Sequence, residues 1–106
     1  MAVFKSTLDV DSAPFQTNVA HMQALVTQLK AHVATVSLGG DTTAREKHLA
    51  RGKLLVRDRV HTLLDPGTPF LEIGQLAAWG MYGGEVPSAS LVTGIGRIHG
   101  QECMIV

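Results

Sequence analysis

The residues best suited to chemistry are few and mostly cationic. Arg51, Lys53, Arg57 and Arg59 crowd into one short stretch. Guanidinium and ammonium groups at that density can grip a phosphate through charge-assisted hydrogen bonds. The plainer reading is a solvated helix face or an intersubunit ion-pair surface. Cys103 is the single cysteine, so neither an internal disulfide nor a multi-cysteine metal site can form. Within an apolar strand a thiol serves as a small buried hydrophobe rather than a nucleophile. His21, His32, His48, His61 and His99 are scattered, without the i, i+4 spacing of a zinc helix, so no metal site is expected. Gly94, Gly96 and Gly100 miss the G-x-G-x-x-G spacing by one residue and no helix follows them. They read instead as strand glycines that allow close packing. Gly80-Met81-Tyr82-Gly83-Gly84 reads as a mobile glycine loop, with a substrate-lining loop as the alternative.

These residues must be positioned by a small set of elements. Residues 1–16 carry Asp9, Asp11, Ser12 and Pro14 and no sustained period, which predicts an N-terminal arm. Residues 17–68 predict a helical segment. Val19, Met22, Val26, Leu29, Val33 and Val36 recur at spacings of three and four, the stripe of one helix face. Thr17 or Asn18 can cap that helix and Gly39-Gly40 can end it. A second helix is expected from Asp41–Thr43, with Thr43 and Glu46 at capping-box spacing and Gly52 as its break. Val56, Val60, Leu63 and Leu64 predict a third, with Arg57, Asp58, Arg59 and His61 mostly on its outer side. Asp65-Pro66-Gly67-Thr68 is a stop and turn signal. From residue 69 onward the pattern turns to strands: Phe70–Ile73, Leu91–Ile98 and Glu102–Val106, the last two forming a hairpin around His99-Gly100-Gln101. Residues 74–90 read as a loop, or as a short helix over Gln75–Trp79 and then a loop.

Composition narrows the classes. Nine basic and nine acidic residues cancel, which removes any electrostatic argument for nucleic acid or an anionic membrane. No apolar run reaches the ~20 residues that span a bilayer. Hydrophobic residues make up 45%, with only 5% aromatic, so the chain should fold around an aliphatic core. The opening segment has no Arg, two acids and no apolar stretch, which suggests a cytoplasmic and bacterial setting. The apolar run Cys103–Val106 looks like a strand covered on both faces, so the sequence is expected to be a piece of something longer.

Several strings, in order and in register, then resemble one family. Ala50–Val60, Leu63–Glu72, Thr93–Gly100 and Glu102–Val106 are similar to segments of the carboxyltransferase (β) subunits of biotin-dependent acyl-CoA carboxylases. Glu102–Val106, together with Phe4-Lys5-Ser6 and Leu8-Asp9, is closest to the methylcrotonoyl-CoA carboxylase branch. The sequence departs from the family at Val56, where proline is usual, and at Ser88-Ala89-Ser90, where a more glycine-rich stretch is common.

The resemblance implies an α+β fragment of an α/β crotonase-like domain, with N-terminal helices followed by a β-hairpin and residues 69–106 opening the N-terminal crotonase-like domain. It implies transfer of a carboxyl group from carboxybiotin to an acyl-CoA, here 3-methylcrotonoyl-CoA in leucine breakdown. The partners implied are a biotin-carrying α subunit and further β subunits. No cofactor is expected to bind this segment itself. The oxyanion-hole donors that stabilise the developing enolate in such enzymes match no position here, so no catalytic residue is assigned. Arg51, Lys53 and Arg57 stand as candidates for the phosphates of CoA. Two rival readings are a catalytically inert interaction module docking through the Val19–Val36 stripe, and a free-standing acyl-CoA binder.

Overall fold

The computed structural model describes residues 3–84 and 86–106 and divides the chain into two units, residues 1–31 and 32–106. Helix α1 (Ala13–Ser37) begins in the first unit and ends in the second. Its start lies ahead of the expected Thr17 or Asn18 cap. Asp9 closes a turn, its Oδ1 accepting from the Asp11 N–H at 3.0 Å and its carbonyl from the Ser12 hydroxyl at 2.7 Å. Pro14 then falls in the first helical turn, where its missing N–H costs nothing and its fixed φ suits the helix. Thr17 lies inside, its hydroxyl donating to the Ala13 carbonyl at 3.0 Å. Within the first unit most of the apolar stripe is exposed: Met22 is 58%, Val26 41% and Leu29 50% exposed, while Val19 is half-buried.

In the second unit, α1 ends where foreseen. The Gly39 N–H donates to the Val36 carbonyl at 3.0 Å, and Gly39 takes a φ of +80°, which glycine adopts without a Cβ clash. Helix α2 (Thr42–Ala50) is capped by Asp41, whose Oδ1 accepts from the Ala44 N–H at 2.9 Å. The carboxylate of Asp41 therefore does the work expected of Thr43, which is already the second residue inside the helix. Helix α3 (Val56–Leu63) buries Val60, and Leu64 just past its end is buried too, while Val56 and Leu63 stay exposed. Arg57 shares the inward face with Val60 and Leu64 at spacings of three and four, contrary to its expected outward position.

Three short strands form one antiparallel sheet in the order β1 (Leu71–Ile73), β2 (Thr93–Ile98), β3 (Gln101–Ile105). His99 and Gly100, with φ of +49° and +78°, make the two-residue turn of the β2–β3 hairpin. Both positive φ values match the right-handed twist of the flanking strands. On the inner face Glu72 pairs with Gly94, Gly94 with Ile105 and Gly96 with Cys103. A Cβ at Gly94 would collide with the Phe70 ring and the Leu71 carbonyl, and one at Gly96 with Leu64. The two glycines thus form the shallow trough that receives Phe70 and Leu64, which is how helix and sheet meet. Val36, Val60 and Leu64 are the buried aliphatic centre. The outer face carries the row Leu71, Ile95, Met104, with exposures of 63%, 37% and 62%. Within the Cys103–Val106 run, Cys103 and Ile105 point inward and are half-buried, while Met104 on the other face is 62% exposed.

Residues 75–80 are turns rather than a helix, and two short 3-10 stretches follow at Tyr82–Gly84 and Pro87–Ser90. Ala78, Tyr82, Ser88, Ala89 and Ser90 all have positive φ, as do Gly74, Gly80 and Gly83. No helix among the described residues is long and apolar enough to cross a membrane. Gly94→Ala should cost about 2 kcal/mol in denaturant unfolding, because the trough is already filled. Gly40→Ala, with nothing within 4 Å of its Cβ, should cost far less.

Candidate functional site

Two polar nodes hold the second unit together, and a cleft lies beside one of them. The first node is Asp65, at the turn leaving α3. Its Oδ1 accepts from the His99 N–H and its Oδ2 from the Gly100 N–H, both at 2.7 Å. Its own N–H donates to the Arg97 carbonyl at 2.9 Å. Pro66 and Gly67 supply the turn, with the Thr68 N–H returning to the Asp65 carbonyl at 3.1 Å. The N–H of Gly100 does most to hold the Asp65 carboxyl below its ordinary value of 3.8; the His99 N–H and the charges of His99 and Arg97 act the same way, against desolvation.

The second node is Arg57. Its Nε and Nη2 donate to Glu72 Oε2 and Oε1 at 3.0 and 2.5 Å. Its Nη1 donates to the Ser37 carbonyl at 3.1 Å and its Nη2 also reaches Ser88 Oγ at 3.3 Å. The Ser88 hydroxyl in turn donates to the Gln75 carbonyl at 2.9 Å. The side chains of Arg57 and Glu72 are 20% and 8% exposed, so the two-pronged pair is largely shielded from water.

A cleft of about 570 Å³ opens against this node. Arg45, His48, Leu55 and Val56 form one side; Pro87 and Leu91 form the other. Its volume is that of a small-molecule pocket and its walls are mainly apolar. Arg45 is fixed by the Leu38 carbonyl at 3.2 Å and Thr42 Oγ1 at 3.1 Å, and a ring nitrogen of His48 lies 3.0 Å from the Leu54 carbonyl. The arrangement suits binding an apolar group beside cations.

The structure separates the candidates for phosphate. Arg57 has every nitrogen engaged inside the fold. Arg51 caps the C-terminal end of α2 and Lys53 follows Gly52; both are exposed, and among the described residues neither side chain makes a hydrogen bond or ion pair. Arg59 is exposed as well. Met81 and Tyr82 are exposed and do not line the cleft. Cys103 is half-buried, its thiol 3.6 Å from the Gln101 carbonyl. The His32 and Trp79 rings meet at a tilt of 45° with centres 4.6 Å apart, and no three metal-ligating side chains cluster among the described residues. Glu72, Ser88 and Asp65 were not singled out as site residues from sequence. A signal existed for Glu72, a lone acid on the inner face of an apolar strand, which calls for a buried cation.

The chain belongs to the carboxyl transferase domain family, whose model matches residues 47–106. Its relatives include β subunits of acyl-CoA carboxylases. It is 47% identical over 105 residues to the mitochondrial methylcrotonoyl-CoA carboxylase beta chain of Dictyostelium discoideum, covering 98% of this chain and 18% of that protein. It is 56% identical over 82 residues to the biotin-dependent 3-methylcrotonyl-coenzyme A carboxylase beta1 subunit of Mycobacterium tuberculosis, covering 77% and 16%. Its fold matches the crystal structure of the P. aeruginosa geranyl-CoA carboxylase beta subunit at a TM-score of 0.64 and 33% identity, over 97% of this chain and 19% of that one. The chain thus spans under a fifth of the length of these relatives, and its three helices followed by antiparallel strands are part of a crotonase-like fold.

Because Asp65 is held below its ordinary value, its stabilising effect is present above that value and is lost as pH falls through the lowered one. The difference in thermal midpoint between the wild type and Asp65→Asn should be largest near neutral pH and shrink in acid. A difference independent of pH would contradict the clamp.

Proposed function

We propose that this sequence is the opening part of the carboxyltransferase subunit of a biotin-dependent acyl-CoA carboxylase acting on 3-methylcrotonoyl-CoA. The observation that carries this reading is the match to methylcrotonoyl-CoA carboxylase β chains along nearly the whole chain. Carboxybiotin, carried by a partner α subunit, would supply the carboxyl group, and the enolate or dienolate of the acyl-CoA would accept it. The relatives' designation as beta chains and subunits supports assembly with an α subunit and with further β subunits.

The role of this segment is binding and support rather than bond-making. Arg51 and Lys53 have uncommitted cationic groups in the α2–α3 connection, beside the cleft residues His48 and Leu55. They are proposed to meet the phosphates of CoA, while the apolar walls of the cleft suit the less polar part of the same molecule. Arg57 contributes indirectly, by fixing α3 against β1. No contact to biotin is assigned to this segment.

In the complete carboxylase, Arg51→Ala with Lys53→Ala should raise the Michaelis constant for 3-methylcrotonoyl-CoA about tenfold or more, the loss of two charge-assisted contacts. The turnover number and the subunit assembly should be little changed. An unchanged constant with weakened assembly would assign the cluster to a subunit contact instead. Failure of the wild-type enzyme to carboxylate any acyl-CoA would remove the functional reading itself.

A further inference from the structure

The strap Pro87–Ser90 combines backbone strain with an unusually specific anchor. Ser88, Ala89 and Ser90 have φ of +53°, +49° and +62°, three consecutive non-glycine residues in the left-handed region. Each such residue is disfavoured, because its Cβ crowds the following carbonyl. Strain of this kind persists only where surrounding contacts over-determine it. Here they do. Ser88 is 4% exposed, its hydroxyl donates to the Gln75 carbonyl at 2.9 Å, and it receives Arg57 Nη2 at 3.3 Å. The Ala89 N–H donates to the Ala77 carbonyl at 3.0 Å and the Leu91 N–H to the Ser88 carbonyl at 2.9 Å. Arg57 is itself held by Glu72 in the middle of β1. The same residues, Pro87, Ser88, Ser90 and Leu91, form one wall of the 570 Å³ cleft.

We propose that the strap Pro87–Ser90 is a sprung wall of the cleft, latched shut by the Arg57–Glu72 pair through Ser88, and that it opens as a unit while the sheet stays folded. The strain pushes toward the open form and the latch toward the closed form. The sheet is tied separately, by its own ladder and by Asp65 on the hairpin turn, so releasing the strap does not release β2 and β3. The cleft would then admit or release an occupant by movement of this wall alone.

Amide hydrogen exchange on the full polypeptide tests the latch, read at Ala89 and Leu91, whose N–H groups are bonded in the closed strap. Arg57→Gln should speed exchange there about tenfold or more while amides within β2 and β3 change little, the signature of local opening. Ala89→Gly should act in reverse, slowing exchange at Leu91 about fivefold, because glycine adopts positive φ without the Cβ clash. Should Arg57→Gln fail to fold, the glycine variant decides alone. Equal acceleration of strap and strands in Arg57→Gln would overturn the proposal. So would unchanged or faster exchange at Leu91 in Ala89→Gly.

Discussion

The seating of helix α3 on strand β1 depends on one shielded ion pair. Arg57 and Glu72 connect helix α3 to strand β1, and through the remaining guanidinium donors they reach the last turn of α1 at Ser37 and the loop at Ser88. A guanidinium suits this task because its donors lie in one plane in a fixed fork, so several partners can be fixed in place at once. Removing both charges from water carries a desolvation cost that the pairing and its extra hydrogen bonds offset only when the geometry is good. The pair therefore adds specificity more than raw stability. Among the described residues only Val36, Val60 and Leu64 are deeply covered hydrophobic side chains, so buried aliphatic area in this segment is small. A core of three aliphatic side chains has little power to choose between alternative seatings of a helix on a sheet, whereas a two-pronged salt bridge has one.

Much of this architecture could be read from sequence where the determinants are local. Helix ends were marked by Gly39 and Gly52, both of which take positive φ, and the hairpin was marked by His99-Gly100. The glycines of β2 were legible as packing devices, and the trough that takes Phe70 and Leu64 bears this out. The misplaced details arose from competition between neighbouring signals. Pro14 and Asp9 start α1 ahead of Thr17, and Asp41 is the better-placed acceptor for the free N–H of α2 than Thr43. Arg57 was read as outward because helical periodicity treats every charge as solvent-facing. Its partner lies fifteen residues on, in another element, so periodicity alone could not find it. Ser88, Ala89 and Ser90 show the same limit. Their departure from a glycine-rich family pattern was visible, but the left-handed backbone beneath them was not.

The candidate site was partly legible. The basic cluster was visible as composition, yet the structure divides it: Arg57 turns inward and is fully engaged, while Arg51 and Lys53 remain outside. The cleft draws walls from α2, α3 and the loop ahead of β2, segments distant in sequence, so no local pattern announced it. This division of labour suits a segment occupying under a fifth of its β-subunit relatives. Within the segment, the cleft wall is built by the strap and the two helices, while the exposed cations lie in the connection between α2 and α3.

The central claim is that Arg57 and Glu72 act as one unit, and a double-mutant cycle measures it most directly. Denaturant unfolding of the wild type, Arg57→Met, Glu72→Leu and the double variant gives the coupling between the two side chains. Each single change strands one charge in a shielded position, so the double variant should recover much of what either single loses. The predicted coupling is about 2 kcal/mol or more. Losses that simply add would mean that the two side chains are independent, and that α3 is seated on β1 by something else.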